Sequence, residues 1–383
     1  MTRARILHLH STFDLGGKEA RTVKLMNHFG DAAEHTVLVG DNEALGARDA
    51  IDSVIDVDFP GDAAPSLLGK PALGRYRKLI AYFKNFDLIL SYNWGSMDGV
   101  MAHKLLGGGK GVPPLIHHED GFNEDENEKL NWKRNWFRAG ALRSSNALVV
   151  PSKTLEDIAL NIWKQPKGKL QRIPNGIDVD AYRKPPEANT IPGLDTQKGE
   201  IVIGTVAGLR RVKNLPRLIR AVSQAGSHVR LVIAGEGPAR AEIMAEADRT
   251  GMSDHVIMPG FLSDPHLYVG LFDIFALSSD SEQYPISLVE AMAAGCAVVS
   301  TDVGDVRHIV AEANKPYIIP RNNEAELAGA IKALVKDSGL RSKLGLANAE
   351  LAQREYRDDT MFERYRQLYG DAMGLKDFAR HGR

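Results

Sequence analysis

Two acidic residues, Glu282 and Glu290, with seven residues between them, stand in the otherwise apolar stretch SSDSEQYPISLVEAMAAGCAVVSTDVG. Pro285 suits the first position of a helix, where its missing N–H costs nothing, and Gly295 suits the helix end. Glu282 then lies in the loop ahead of the helix and Glu290 on its second turn. The first-turn amides around Ile286 and Ser287, helped by the helix dipole, form an anion site between the two acids. A phosphate with a carboxylate on each side describes a ligand carrying hydroxyls at both ends, which is the pattern of a nucleotide-sugar. The plainer alternative is a first-turn acid and an unrelated solvated one. The stretch AGLRRVKN places Arg210, Arg211 and Lys213 after an apolar run, where cations would neutralise a diphosphate; alone, it reads equally as a solvated basic loop. Gly237 in AGEGP, and Gly16 with Gly17 in DLGGKEAR, allow close approach of a ligand to a strand end or a helix start. A Gly-Gly pair is also an ordinary turn.

These residues need strands to deliver them. The runs RILHLHS, HTVLVG, DLILSYN, PPLIHHE and NALVVPS in the first half, and EIVIGTVAG, HVRLVIAGEG, HVIMPGF, IFALSS, AVVSTDVG and YIIP in the second, are nearly continuous and apolar. That suits parallel strands buried on both faces. Helix-length stretches such as NLPRLIRAVSQAG and NEAELAGAIKALVKDSG alternate with them, the pattern of βαβ units. The expected class is α/β with two doubly wound, Rossmann-like domains facing a cleft. Ligands of such sheets lie beyond the carboxyl ends of the strands. The aperiodic, proline-rich segment around 184–200 reads as a linker. The expected layout is 1–183 as the acceptor-side domain, 201–365 as the donor domain, and 366–383 as a terminal helix and tail.

Bulk properties exclude several classes. A chain of 383 residues exceeds one ordinary core. A net charge of −1 gives no basic field for nucleic acid. One cysteine, Cys296, allows neither an internal disulfide nor a cysteine-rich zinc site. The amino terminus lacks a signal-peptide core, and no run reaches the ~20 apolar residues of a membrane span. A cytoplasmic location is expected, with attachment to the inner face of a membrane left open.

Taken together, the early GG loop, VVPSKTLEDI, IPNGID, LRRVKNL, LVIAGEGP and SEQYPISLVEAMAAGCAVVSTDVG resemble the retaining glycosyltransferases of family four, with the GT-B architecture. The resemblance implies transfer of a sugar from a UDP- or GDP-sugar to a glycan or lipid-linked acceptor, without a metal cofactor, in bacterial surface polysaccharide or glycoconjugate synthesis. It implies that Glu290 binds the ribose hydroxyls and that Glu282 contacts the donor sugar. Lys213 with Arg210 or Arg211 would clamp the diphosphate, with Gly237, Pro285, Ile286 and Ser287 lining the donor site. Gly16 and Gly17 would approach the phosphates or the acceptor. Two departures stand out. Gly208 falls where the family usually has an arginine, so Arg210 or Arg211 must supply that charge. In PPLIHHEDGFNEDE a gapless reading puts Asp120 where the family often has a histidine, with His118 as the alternative from a shifted register. Neighbouring residues of a strand point to opposite faces, so HHED alone supplies too few converging groups for a metal. A nucleotide-sugar epimerase of the same fold and a non-catalytic nucleotide-binding protein are the rival readings.

The segment 128–143, EKLNWKRNWFRAGALR, combines Trp132, Trp136 and Phe137 with Lys133, Arg134, Arg138 and Arg143. The two tryptophans share a helical face, and aromatics beside cations suit an interfacial helix on an anionic bilayer. Alternatively, the aromatics pack inward and the cations are solvated.

Overall fold

Each apolar run becomes a parallel strand, and the helices between them cover both faces of two sheets. The computed structural model of the chain describes residues 3–14, 16–108, 111–122, 126, 130–195 and 199–379. It divides into unit 1, Met1–Asn175 with Met361–Arg383, and unit 2, Gly176–Thr360.

Unit 1 begins with β1 (Ala4–His10), α1 (Gly17–Phe29), β2 (Ala33–Val39), β3 (Val57–Asp58), α2 (Leu73–Phe83) and β4 (Leu88–Tyr92). It continues with α3 (Met97–Leu106), β5 (Leu115–His118), α4 (Trp132–Ala141), β6 (Ala147–Val150), α5 (Lys153–Asn161) and β7 (Leu170–Arg172). Its strand order is β3-β2-β1-β4-β5-β6-β7, and β1 pairs in parallel with β2 from Ala4↔Ala33 to His10↔Val39. Because successive side chains point to opposite faces, Leu7 and Leu9 enter one apolar cluster and Ala4 and Ile6 another.

Unit 2 repeats the plan with β8 (Ile201–Val206), α6 (Leu215–Ser223), β9 (Val229–Ala234), α7 (Arg240–Arg249), β10 (Val256–Gly260) and β11 (Ile274–Leu277). Then follow α8 (Ile286–Ala293), β12 (Ala297–Thr301), α9 (Val306–Ile309), β13 (Ile318–Ile319), α10 (Glu324–Lys336) and α11 (Ser338–Glu355). The order is β10-β9-β8-β11-β12-β13. The order reverses between β1 and β4 in unit 1 and between β8 and β11 in unit 2. Such switch points open a crevice at the strands' carboxyl ends.

The chain boundaries differ from the sequence expectation in two places. The described part of 184–200 lies within unit 2, because Ile191 (1% exposed) and Leu194 bury themselves in that unit's core. The last helix, α12 (Asp358–Met373), returns to unit 1. Its residues Met361, Tyr365 and Tyr369 recur at four-residue intervals and pack with Ile6, Leu88 and Leu90, so the return falls at 361 rather than after 365. The outgoing and returning chains run side by side. Ile177 N donates to Tyr356 O (2.9 Å) and Asp358 N to Ile177 O (3.0 Å). A Cβ on Gly176 would stand 2.6 Å from Asp358 Cα, so only glycine lets the two segments pass this closely. Among the described residues, no helix is long and apolar enough to cross a membrane.

Candidate functional site

In unit 2 the loops leaving β8 and β11 meet at the switch point. The backbone of Ala207–Leu209 runs against the loop after β9, with Ala207 N donating to Ala234 O (3.0 Å) and Leu209 N to Glu236 O (2.9 Å). Gly237 (φ +156°) sits in this seam, where a Cβ would come within 2.5 Å of Leu209 O. The approach of one loop to the other therefore itself requires glycine here. A short turn, Arg211–Lys213, then leads to Asn214 in the left-handed region (φ 44°, ψ 47°) and into α6. The β11 loop is stitched to this turn: Asp280 N donates to Val212 O (2.8 Å), and the Ser278 hydroxyl lies within hydrogen-bonding distance of Lys213 O and Asn214 O. Asp280 is itself held by Arg217 (2.6 Å) and by the Asn214 amide (3.0 Å).

The stitching aims Lys213 at Glu282. The ammonium donates to Glu282 Oε1 at 2.6 Å, and the Ser279 hydroxyl donates to the same oxygen at 2.7 Å. Both side chains are largely shielded, 15% and 9% exposed. Pro285 (φ −71°) is the cap just outside α8 rather than its first residue, and the helix starts at Ile286. The first amides of the helix lack intrahelical partners in either case. Glu290, on the second turn, accepts a hydrogen bond from Tyr182. Burial first, and then the Glu290 charge, holds the Tyr182 phenol above its ordinary range, and Tyr268 feels the same two influences. The two arginines part company. Arg211 is 91% exposed and lies 3.5 Å from Glu242. Arg210 folds back so that its Nε lies 3.7 Å from where a Gly208 Cβ would be.

In unit 1 the switch point gathers Gly16, Gly17, Arg21, Asn93 and Asp120. Gly16 caps α1 and Gly17 opens it. Asp120 N donates to Asn93 Oδ1 (2.7 Å), and the Asp120 carboxylate is gripped by both terminal nitrogens of Arg21, one at 2.8 Å. Arg21 also donates to Asn175 (3.1 Å). The two residues considered for the usual histidine position separate here. Asp120 stays partly accessible at 13%. His118 is buried (1%), 3.0 Å from the Tyr369 hydroxyl through Nε2 and stacked on Tyr92 at 4.7 Å. Burial, then Arg21, holds its imidazole well below the ordinary range, so it is a neutral interior group. As the alternation predicts, His117 and Glu119 face away from His118 and Asp120: Glu119 pairs with Arg138 (3.1 Å) and lies 3.6 Å from His117. Among the described residues no group of three or more His, Cys, Asp or Glu could hold a metal ion.

Helix α4 corrects the reading of 128–143, of which 128–129 lie outside the described residues, as do 123–125 and 127 of the preceding loop. Arg138 is not solvated. It is fully buried, pairs with Glu119 and Glu126, and lies 5.1–5.3 Å from the Trp94, Phe122 and Trp163 rings. Arg134 turns to Glu126 (3.0 Å). Phe137 packs on the core, whereas Trp132 and Trp136 are 66% and 78% exposed.

Sequence reasoning missed Arg21, Asn93, Tyr182, Ser279 and the Asp280–Arg217 pair. All but Ser279, which reaches Glu282 three residues on, act through a partner distant in the chain, and only the parallel topology brings those pairs together.

Two Rossmann-like units of parallel sheet, each with its loops gathered at a switch point, define the GT-B class of glycosyltransferase folds. The solved structure of Anabaena HepE in complex with UDP matches with a TM-score of 0.79 at 18% identity, covering 96% of this chain and 100% of that one. A lipopolysaccharide outer core galactosyltransferase, WaaB, matches at 0.70 and 15% identity, covering 95% and 98%. The sequence model for Glycosyltransferase Family 4 matches residues 15–181 and that for Glycosyl transferases group 1 matches 188–350. The chain belongs to this glycosyltransferase family. It is 25% identical over 321 residues to the Bacillus subtilis putative glycosyltransferase EpsF, covering 79% of this chain and 80% of the relative. It is 27% identical over 234 residues to the N-acetylgalactosamine-N,N'-diacetylbacillosaminyl-diphospho-undecaprenol 4-alpha-N-acetylgalactosaminyltransferase of Campylobacter jejuni, covering 60% of each chain.

Proposed function

We propose that the chain transfers a sugar, with retention at the anomeric carbon and without a metal, from a UDP-sugar to a glycan or lipid-linked acceptor in surface polysaccharide or glycoconjugate assembly. We further propose that it works as a peripheral protein at the cytoplasmic face of a membrane. The observation that carries the reading is the Lys213–Glu282 pair, fixed by Ser279 beside the start of α8. An entering diphosphate competes with Glu282 for the Lys213 ammonium. Released, the carboxylate accepts hydrogen bonds from the donor sugar's hydroxyls, while Lys213, Arg210 and the first amides of α8 neutralise the leaving group. Arg210, lying over Gly208, supplies the positive charge at that position, and Arg211 does not. Glu290 takes the ribose hydroxyls. The acceptor oxygen bonds to the anomeric carbon on the face from which the phosphate oxygen leaves, and the departing diphosphate takes the acceptor's proton. Asp120, held by Arg21, is a partly accessible acid at the switch point of unit 1, and takes the histidine's role in place of the buried His118. The UDP preference is drawn from HepE, whose structure holds UDP, and the lipid-linked acceptor from the undecaprenol-linked chemistry in the Campylobacter relative's name.

Binding of UDP and GDP by calorimetry, followed by product analysis of labelled UDP-sugars with lipid extracts, tests this. Glu282→Ala is expected to lower turnover about 100- to 1,000-fold with the fold intact, and EDTA is expected to leave the rate unchanged. Wild-type turnover in Glu282→Ala, or a sugar altered at a ring carbon without transfer, would overturn the assignment.

A further inference from the structure

Helices α3 and α4 and the chain following α5 enclose a groove of about 560 Å3 on unit 1, lined among others by Lys104, Trp132, Trp136, Arg143, Ile162 and Lys164. Large apolar side chains stand open to solvent there: Trp132 at 66%, Trp136 at 78% and Ile162 at 45%, with Leu105 beside Lys104 at 56%. Scattered exposed leucines need no explanation, but two tryptophans one helical turn apart on one groove do. The groove is built rather than loose. The Trp163 indole donates to Asn135 Oδ1 (2.9 Å), the Gln165 amide to Ala139 O (3.2 Å) and the Lys104 ammonium to Gly140 O (2.6 Å).

The charges sort by direction. Arg134 and Arg138 turn inward to Glu126 and Glu119. The charged side chains that line the groove, Lys104, Arg143 and Lys164, are all cations. Lys133 joins them, its ammonium 5.7 Å from the Trp132 ring. A second copy of this chain seated through the same face would oppose cation to cation. An anionic surface meets the cations and admits the indoles together, because tryptophan settles at a bilayer's interfacial layer and lysine and arginine meet lipid phosphates.

We infer that this groove docks unit 1 on an anionic bilayer, with Trp132 and Trp136 in the interfacial layer and Lys104, Lys133, Arg143 and Lys164 on lipid phosphates. This deepens the peripheral-membrane part of the proposed function, resting on it for its purpose. Vesicle binding needs neither donor nor acceptor, so its failure is separable from failure of the transferase reading.

The test is sedimentation of the full chain with phosphatidylcholine vesicles, with and without phosphatidylglycerol, at low and high salt. Binding is expected only with phosphatidylglycerol, falling with salt, with a blue shift of tryptophan emission. Each cation removed should lower partitioning about five-fold, so Arg143→Glu with Lys164→Glu should abolish it, while Lys343→Glu in unit 2 leaves it unchanged. Trp132→Ala with Trp136→Ala should remove the blue shift and weaken binding. Sites this exposed leave the fold intact, checked by circular dichroism. No binding at low salt overturns the proposal. So does equal loss from Lys343→Glu, or a concentration-dependent dimer that the tryptophan variant dissolves.

Discussion

The Tyr182–Glu290 contact shows how one residue sets the state of another. A carboxylate that accepts a phenolic hydrogen bond is fixed in rotation, leaving its remaining lone pairs in defined directions. If those directions serve a ribose diol, removing the phenol should matter only to ligands that have one. Tyr182→Phe is expected to weaken UDP binding roughly ten-fold, the scale of one hydrogen bond to a charged group, and to change affinity for the 2′,3′-dideoxy analogue little. Calorimetry with both nucleotides checks this; equal loss for both would make Tyr182 a packing residue only. The acids, the lysine and the helix start were legible in the sequence, because they crowd one short stretch and one strand end. Tyr182 was not, since nothing in its neighbourhood names Glu290 as its partner. Nor could sequence choose between Arg210 and Arg211: adjacent residues in a tight turn diverge, and only backbone geometry says which one covers Gly208.

At the scale of elements, α4 is anchored by a charge. Arg138 sits in the interior and pairs with both Glu119 and Glu126, so it clamps two points of the stretch between β5 and α4 to the last turn of α4. Burial pushes the Glu126 carboxyl up, but hydrogen bonds from Arg138 and Arg134 more than offset this and hold it below its ordinary value. Removing one partner of such a set strands a charge away from water. Arg138→Leu is expected to destabilise unit 1 by about 3–5 kcal/mol, read as a lower urea midpoint by tryptophan fluorescence. Adding Glu119→Gln should recover part of the loss; no recovery would mean that ring packing, not charge, dominates. The periodicities predicted eleven of the strands correctly, all but β3 and β7. Those two, Val57–Asp58 and Leu170–Arg172, are short and carry polar residues, so no apolar run forms, whereas the equally short β13 is Ile318–Ile319 and stands out. The inward turn of Arg138 was equally hidden, because a cation beside tryptophans reads the same whether its carboxylates lie above it or nowhere.

Across the whole molecule, the distribution of buried histidines predicts that the two units respond differently to acid. Unit 1 buries His8, His10, His35, His117 and His118, whereas among the described residues unit 2 buries no histidine. Burial, as the first cause in each case, holds the imidazoles of His8, His10 and His118 well below 6.5, and that of His35 at about 4. Folded values below the unfolded one mean that the unfolded chain binds more protons under acid. The stability is therefore intact above pH 6.5 and is lost as pH falls from there toward about 4. The slope is up to about 1.4 kcal/mol per pH unit for each imidazole. All four tryptophans, Trp94, Trp132, Trp136 and Trp163, belong to unit 1, so indole emission reports on that unit alone. Its urea midpoint should drop between about pH 7 and about pH 5. An unchanged midpoint would show that these imidazoles are neutral in neither state or both.

The return of α12 also has a consequence for the order in which the protein is made. A ribosome releases β1 through β7 first, then the whole of unit 2, and only then the helix whose Tyr365 and Tyr369 lie against His118 and Tyr92. Until α12 emerges, unit 1 waits with part of one face of its sheet uncovered, Leu25 and Phe29 of α1 being there to pack on it. A stop codon after Thr360 should therefore leave unit 2 whole while the older half of the chain binds a hydrophobic dye and clings to chaperones. Damage to α12 would be felt at β1 and β4.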